Sequence, residues 1–239
     1  MKRRFAAERH VICRAFAQKQ LGQAEAGRLL GAYGLRLPRL ELARTAEEAA
    51  LLAEEMGFPV ALKVASPDIP HKSDVGGVLL GVSDGAAAAE GFAEICRNAK
   101  RARPGVEVQG VHVQPMLPAG QDVIVGAVQD PQFGPLVMFG SGGVEVEGLG
   151  DVAFALAPLS RAEAEALVEE TWVGRRLRGY RNLPPADREA VLDAVLRLAQ
   201  LAADFPEIAE IEINPLRACA RGAVAVDVRV RVGSSAGGG

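Results

Sequence analysis

Hydrophobic and polar positions alternate most clearly in two parts of the chain. Residues 60–64 are apolar except for Lys63, which would share one face of a strand with Ala61. Residues 210–214 alternate in the same way, with Ile211 and Ile213 on one face. The other face of this second strand carries three side chains with oxygen atoms: Glu210, Glu212 and Asn214. Both segments are therefore predicted to be half-buried strands that present polar groups on one side.

The rest of the pattern predicts interspersed helices and strands. Capping boxes at Thr45 with Glu48 and at Ser160 with Glu163 predict two helix starts. Helices are predicted over residues 1–20, 23–33, 45–56, 86–100, 160–171 and 184–203. Strands are predicted over residues 60–64, 78–82, 106–114, 122–129, 135–140, 208–214 and 223–230. The mixed order and the closing hairpin predict an α/β (mixed α+β) fold rather than a doubly wound sheet.

These elements divide the chain into four parts. Residues 1–22 form a predicted N-terminal helical extension, and residues 23–113 a first α/β subdomain. Residues 114–231 form a second subdomain, and the glycine- and serine-rich tail, 232–239, is predicted to be disordered.

Composition narrows the class of protein. The chain has 239 residues, of which 49% are hydrophobic and 24% charged, as in ordinary globular proteins. The net charge of -3 argues against a nucleic-acid partner. Apolar runs are far shorter than the roughly 20 residues of a membrane helix, and we expect no membrane association. The three cysteines are too scattered for a disulfide framework or a zinc site, and charges interrupt the N-terminal apolar run, so we expect a cytoplasmic protein.

Lys63 and the loop after it are candidates for binding phosphate. A lysine on a strand is either aimed at a ligand over that face or extends its charge from a half-exposed sheet into water. The loop 66–77 favours the first reading, because it offers glycine backbone, charge and a hydroxyl in Lys72, Ser73, Gly76 and Gly77. It lacks the spacing of a Walker A loop. His71 lies in this loop, and an imidazole there can accept a phosphoryl group.

The closing hairpin predicts a magnesium site. Val224, Val226 and Val228 are expected on one face of its second strand, and Ala225 and Asp227 on the other. If the polar faces pair, Asn214 and Asp227 can share Mg²⁺, which favours a few protein oxygens together with phosphate and water. The alternative is an ordinary polar sheet face.

Two further segments are weaker candidates. Gln114-Pro115-Met116 lies near the expected junction of the subdomains, where the proline would interrupt strand pairing and leave backbone groups for an adenine edge. The glycine loop 140–143 can either cradle an anion or simply turn the chain.

Four motifs together resemble the ATP-grasp subunit of ADP-forming acyl-CoA synthetases, relatives of the succinyl-CoA synthetase β subunit. The resemblance runs from about Gln23 to Val230 and rests on Gly57 to Lys63, His71 to Val78, Asp130 to Pro135 and Glu212 to Pro215.

The resemblance implies an ATP-grasp fold in which two subdomains clamp a nucleotide. It implies phosphate contact by Lys63, an adenine hinge at 114–116, and Asp122 near the ribose. Asn214 and Asp227 would hold Mg²⁺, while His71 and Glu212 would receive or stabilise a phosphohistidine. The phosphohistidine would come from an α subunit that carries CoA-binding and swinging-histidine domains.

The implied reaction is acyl-CoA + ADP + phosphate ⇌ acid + CoA + ATP. Two positions depart from the family pattern: Ser141 stands where a leucine is expected, and Asp122 where a glutamate is expected. A regulatory ATP-grasp-like module that binds nucleotide without turnover is the alternative, and it would not need His71 with Glu212. A carboxylate–amine ligase is disfavoured, since no domain for an amine substrate is evident.

Overall fold

The computed structural model describes residues 20–69, 71–142 and 150–233. Residues 1–19 of the predicted N-terminal helix, Gly143 and residues 234–239 of the predicted disordered tail lie outside these ranges, and Gln20 forms a β-bridge with Arg231. The chain divides into two compact units. The small unit is Pro38–Pro118, and the large unit combines Met1–Leu37 with Ala119–Gly239.

The small unit contains an antiparallel sheet and two helices. Its described strands are β1 (Glu41–Ala43), β2 (Val60–Ala65), β3 (Val78–Val82) and β4 (Gly110–Pro115), in the order β1-β4-β2-β3. Its helices are α1 (Ala46–Met56) and α2 (Gly85–Ala102), and a 3₁₀ turn spans Ser73–Val75.

Burial in β2 explains how the small unit is built. Val60, Leu62 and Val64 are fully buried in the core beneath the helices, as the alternation predicts. Helix α1 begins after Thr45, whose hydroxyl accepts the N–H of Glu48. The Glu48 carboxylate accepts the N–H of Arg44 rather than that of Thr45, so the predicted helix start is confirmed with a shifted side-chain bond. Lys63 lies on the opposite face of the sheet and is half-buried.

The large unit is a second antiparallel sheet with helices. Its described strands are β5 (Gly120–Asp130), β6 (Gly134–Ser141), β7 (Val152–Leu156), β8 (Ile208–Cys219), β9 (Ala223–Ala225) and β10 (Val228–Val232). The order is β10-β8-β5-β6-β7, and β9 also pairs with β8. Its helices are α3 (Gln23–Ala32), α4 (Arg161–Glu170), α5 (Trp172–Arg176) and α6 (Arg188–Asp204).

One hydrophobic core joins these helices to one face of the sheet. Val123, Val125 and Ala127 alternate along β5 into this core. The capping box at Ser160 and Glu163 forms and begins α4 as predicted. The mixed α/β class is confirmed, and the opposite face of the large sheet carries the polar residues of β8.

The division of the chain differs from the predicted one. The boundary lies between Pro118 and Ala119 rather than after residue 113. Residues 23–37 belong to the large unit, because Leu29 and Leu30 of α3 are buried in its core. A contact between segments so far apart in sequence leaves no mark in local periodicity.

Some element bounds also differ. Helix α6 begins at Arg188, where Asp187 caps it, and not at the prolines 184–185. The strand predicted from 106 begins at Gly110, and the strand predicted over 208–214 continues to Cys219.

The predicted faces of the last strand are wrong. Ala225 and Val228 are both buried, whereas Val224 and Val226 are half-buried. The cause lies in β8, where Val123 pairs with Leu216 and Val125 with Ile213. Two residues of β8, Asn214 and Pro215, therefore stand opposite the single Ile124 of β5. Such a bulge changes which face the following residues occupy, and the paired segment 226–227 changes face with it.

Candidate functional site

Lys63 lies in the middle of β2, on the face opposite the core of the small unit. Its cross-strand partners are His112 on β4 and Val78 on β3. Directly opposed residues of an antiparallel pair have Cβ atoms about 5 Å apart. The structure therefore places a histidine beside the lysine predicted to bind phosphate.

His71 lies exposed on the loop that joins β2 to β3. Gly77, at the end of this loop, is required by packing: a Cβ there would lie 2.6 Å from Cγ1 of Val64 and 2.8 Å from the carbonyl oxygen of Lys72. Gly76 has a φ of 63°, which favours glycine. The loop geometry alone accounts for both glycines, and their contact with phosphate remains a prediction, as does that of Ser73.

Helix α2 and the residues after it hold the two ends of this loop. Asn98 Nδ2 donates to the carbonyl oxygen of Gly76 over 3.1 Å. Arg103 donates to the carbonyl oxygen of Asp68 over 2.5 Å, and the Asp68 carboxylate accepts the N–H of Glu107. The His71 side chain makes no hydrogen bond to the described residues. The loop is thus fixed at its ends while the imidazole faces solvent.

The segment predicted as an adenine hinge is more regular than expected. Strand β4 continues through Pro115, which pairs with Val60, and the N–H of Met116 donates to the carbonyl oxygen of Pro59. The proline therefore does not interrupt pairing, and the N–H of Met116 is already used. Gln114 is 2% exposed, and within the described residues its Oε1 has no hydrogen-bond partner. A buried unsatisfied amide of this kind suits a ligand polar group.

Asn214 and Asp227 are neighbours in the large unit. The backbone N–H of Asn214 donates to the carbonyl oxygen of Asp227 over 3.1 Å. Oδ1 of Asp227 accepts Gln23 Nε2 at 2.7 Å and the N–H of Val228 at 3.1 Å, which orients the carboxylate. Within the described residues there is no group of three or more His, Cys, Asp or Glu side chains that could hold a metal. One amide and one carboxylate fit Mg²⁺ that takes its other ligands from phosphate and water.

Glu212 lies one alternation before Asn214 on the same face of β8. Its carboxylate is 3.9 Å from Arg229, its cross-strand partner on β10. Glu210 forms a closer pair of the same type with Arg231, at 2.8 Å. Glu212 belongs to the large unit and His71 to the small unit.

Asp122 is held by a residue that the sequence did not single out. Arg217, opposite it on β8, donates from Nε to Oδ1 and from an NH2 group to Oδ2, both over 2.8 Å. The hydrogen bond to Asp122 is the main cause that raises the pKa of Arg217.

Ser141 stands where the resemblance leads us to expect leucine, and its side chain takes part in a hydrogen-bond network. Its hydroxyl donates to Oδ2 of Asp151 over 2.8 Å. The same carboxylate accepts the N–H groups of Trp172 and Val173 at the start of α5. Burial raises the pKa of Asp151, but the hydrogen bonds from Val173, Trp172 and Ser141 outweigh it and lower the pKa below its usual value. Anion binding by the glycine loop 140–143 stays a prediction beside its alternative, a simple turn of the chain.

Three residues at these sites escaped prediction. His112 had a signal, because alternation within β4 puts it on the face of Gln114. Arg217 had none, since a regular strand would place it on the face of the buried Ile211 and Ile213. Gln23 had none either, because its contact with Asp227 spans 204 positions.

Comparison with known proteins shows the family to which the chain belongs. Residues 13–232 match the family described as an ATP-grasp domain, a class of nucleotide-binding fold. The chain is 42% identical to the β subunit of acetate–CoA ligase (ADP-forming) I of Pyrococcus furiosus, over 95% of this chain and 98% of that protein. It is 45% identical to acetate–CoA ligase (ADP-forming) I of Archaeoglobus fulgidus, over 88% of this chain and 30% of that longer protein.

Solved structures of related synthetases are similar to this chain in fold and sequence. The dinucleotide forming acetyl-coenzyme A synthetase 1 of Ca. Korarchaeum cryptofilum, in complex with coenzyme A, Ca-AMPCP and HgCl+, superposes with a TM-score of 0.90 at 39% identity, covering 95% of this chain and 100% of that chain. Its complex with coenzyme A and Mg-AMPPCP superposes with a TM-score of 0.82 at 37% identity, with the same coverage. The chain belongs to the ATP-grasp family, in the branch that contains the β subunits and β-like domains of ADP-forming acetate–CoA ligases. The predicted family and fold are confirmed.

None of the helices in residues 20–69, 71–142 and 150–233 combines the length and apolar character that crossing a membrane requires.

Proposed function

We propose that the chain is the nucleotide-binding catalytic part of an ADP-forming acyl-CoA ligase. It transfers a phosphoryl group between a phosphohistidine and ADP in the reaction acyl-CoA + ADP + phosphate ⇌ acid + CoA + ATP. The observation that carries this proposal is the arrangement around β8, where Glu212 and Asn214 share a face and Asp227, oriented by Gln23, pairs with Asn214. This is a carboxylate beside a magnesium-type ligand pair, which phosphoryl transfer requires.

His71 and Glu212 handle the phosphoryl group. His71 takes it from the partner's phosphohistidine, forming its own N–P bond while the partner's N–P bond breaks. Attack by an oxygen of the β-phosphate of ADP then yields ATP and restores His71. Glu212 stabilises the phosphohistidine that the partner brings. The exposure of His71 on a loop that is fixed at its ends supports this role.

The other predicted residues bind the nucleotide. Lys63 contacts the phosphates, helped by Ser73 and the backbone of Gly76 and Gly77, and Asp122 lies near the ribose. Gln114 offers its buried amide to the adenine edge, while Pro115 and Met116 line the base through their side chains. The unsatisfied Oε1 of Gln114 supports the adenine contact.

Asn214 and Asp227 would hold Mg²⁺. Bound there, the ion would neutralise charge on the phosphate oxygens. A related synthetase has been solved with Mg-AMPPCP, which supports this choice of metal.

The partner is an α subunit or α domain. The Pyrococcus relative is named a β subunit, which implies an α partner. We assign to that partner the CoA-binding and swinging-histidine domains, and we place the assembly in the cytoplasm as a hetero-oligomer. In the Korarchaeum synthetase bound to Mg-AMPPCP, the phosphohistidine segment points towards the nucleotide binding site, which supports delivery of the phosphoryl group by a moving segment.

The test is ATP synthesis from acetyl-CoA, ADP and phosphate by the chain copurified with its partner. We expect His71→Ala to lower the rate by roughly 100-fold or more, with nucleotide affinity unchanged. An unchanged rate in this variant would contradict the proposed role of His71. A wild-type assembly that binds ADP and makes no ATP would favour the regulatory module instead.

A further inference from the structure

Asp122 and Arg217 form the best-defined ion pair on the polar face of the large sheet. Two parallel hydrogen bonds of 2.8 Å join them across β5 and β8. The side chains are 29% and 27% exposed, so both are largely withdrawn from water. A two-point contact between guanidinium and carboxylate fixes the plane of the carboxylate as well as its distance.

The bulge in β8 is what brings Arg217 to this face. Glu212 and Asn214 occupy even positions on the polar face, and an unbroken strand would turn position 217 towards the core. Because Asn214 and Pro215 both stand opposite Ile124, the alternation shifts, and Leu216 and Ala218 become the buried neighbours. Arg217 is therefore carried to the face of the predicted magnesium ligands by the same irregularity that shapes their position.

The pair suits a sugar-binding role better than a lone carboxylate would. A carboxylate has about four lone-pair sites, and the guanidinium uses two of them, which leaves acceptors for two hydroxyl donors. The guanidinium also cancels the carboxylate charge, which would otherwise repel a nucleotide polyphosphate. A 2′,3′-diol is the part of a nucleotide that offers two adjacent hydroxyl donors.

We propose that Arg217 is a positioning residue that sets the selectivity of this chain for ribonucleotides. It holds the Asp122 carboxylate so that the two remaining acceptors face the ribose hydroxyls. This inference rests on the proposed function, in which the chain binds ADP with Asp122 near the ribose.

The experiment compares ADP with 2′-deoxy-ADP and 3′-deoxy-ADP as substrates of the intact assembly. We expect Arg217→Leu to lower the ratio of kcat/KM for ADP to that for each deoxynucleotide by about tenfold or more, because the hydroxyls lose an oriented acceptor. The KM for ADP should rise while kcat changes little. Arg217→Lys restores the charge without the two-point contact, and we expect it to recover less than half of the lost selectivity on a logarithmic scale.

Arg231→Leu is the matched control. Arg231 of β10 forms a cross-strand ion pair with Glu210 of β8, the strand that also carries Arg217. Arg231→Leu should leave the selectivity at the wild-type value. If Arg217→Leu does not fold, Asp122→Asn tests the same acceptor and should lose the same selectivity.

Three results overturn the inference. Arg217→Leu could lose kcat/KM equally for ADP and both deoxynucleotides, or Arg217→Lys could restore the selectivity fully. The third is a wild-type assembly that binds ADP and uses both deoxynucleotides equally well. A wild-type assembly that does not bind ADP would instead refute the proposed function.

Discussion

His71 and the Asn214–Asp227 pair lie in different structural settings, one on an exposed loop and the other on paired strand segments. His71 stands exposed on a loop of the small unit, and hydrogen bonds from Asn98 and Arg103 fix the loop near its ends. Asn214 and Asp227 lie on paired segments of the large sheet, where a backbone hydrogen bond joins them and Gln23 orients the carboxylate.

The difference follows from what each group is proposed to do. A metal pair must keep its oxygens at set distances, and neighbouring strands with a second layer of hydrogen bonds achieve that. A histidine that exchanges a phosphoryl group with a separate protein must remain accessible. We therefore expect substitutions around Asp227 to act through magnesium affinity, and substitutions around the loop to act through the rate of phosphoryl transfer.

The largest effect is expected from Asp227→Ala. It removes the proposed charged ligand, so the Mg²⁺ concentration needed for half-maximal activity should rise by more than the roughly 10- to 100-fold typical of changes next to a ligand. A magnesium titration of ATP synthesis measures it. An unchanged midpoint would mean that the ion binds elsewhere.

Gln23→Leu should have a smaller effect of the same kind. Loss of the 2.7 Å hydrogen bond leaves the Asp227 carboxylate less well oriented, and we expect about a tenfold higher magnesium midpoint. Gln129→Leu is the control, because Gln129 donates to the carbonyl oxygen of Ala202 in the same unit, at the junction of strand and helix. If both variants shift the midpoint equally, the effect is one of general stability.

Asn98→Ala tests the loop. Without its bond to Gly76, we expect phosphoryl transfer to slow by roughly three- to tenfold, since a neutral hydrogen bond contributes about 0.5–1.5 kcal/mol. The magnesium midpoint should stay at the wild-type value. A shift in that midpoint with no change in rate would reverse the assignment of roles to the two regions.

Asp187→Ala should lower the stability of the large unit without changing magnesium binding. Hydrogen bonds from the N–H groups of Gly222 and Ala190 lower the pKa of Asp187, so its stabilisation is complete above the unfolded pKa of about 3.9 and is lost as the pH falls through the folded value. The variant should be less stable by about 1 kcal/mol at pH 7, and by less as the pH falls below 4.

Denaturant unfolding of the wild type and of Asp187→Ala, at pH 7 and at a pH below 4, measures this loss of stability. Thr171→Ala removes a helix cap that does not titrate, and its cost should change much less with pH. Equal pH dependence in the two variants would contradict the assignment of the effect to Asp187. The magnesium midpoint of Asp187→Ala should match the wild type.

Local signals made part of this architecture predictable. Thr45 and Ser160 marked their helix starts, because a capping side chain acts within three residues. Alternation is also a local signal, and it predicted correctly that Lys63 lies on the face of β2 opposite Val60, Leu62 and Val64. In the closing strands, the register with β5 inserts a bulge at Asn214 and Pro215, and periodicity within one strand cannot reveal it.

The candidate site was predictable where a residue type suits the proposed chemistry, and it was hidden where a contact joins distant segments. Asn214 and Asp227 were predicted as magnesium ligands from their oxygen atoms and the expected pairing of their strands, and in the structure a backbone hydrogen bond joins the two residues. Gln23 and Arg217 depend on contacts between distant segments, which composition and spacing do not encode.

The most direct test of the account is where phosphate resides during turnover. The assembly would be incubated with Mg²⁺ and ATP labelled on the γ-phosphate, and its subunits separated under denaturing, alkaline conditions. We predict acid-labile, base-stable label on this chain in the wild type and none on it in His71→Ala. Absence of label on the wild-type chain, or equal label on the variant, would contradict phosphoryl transfer through His71.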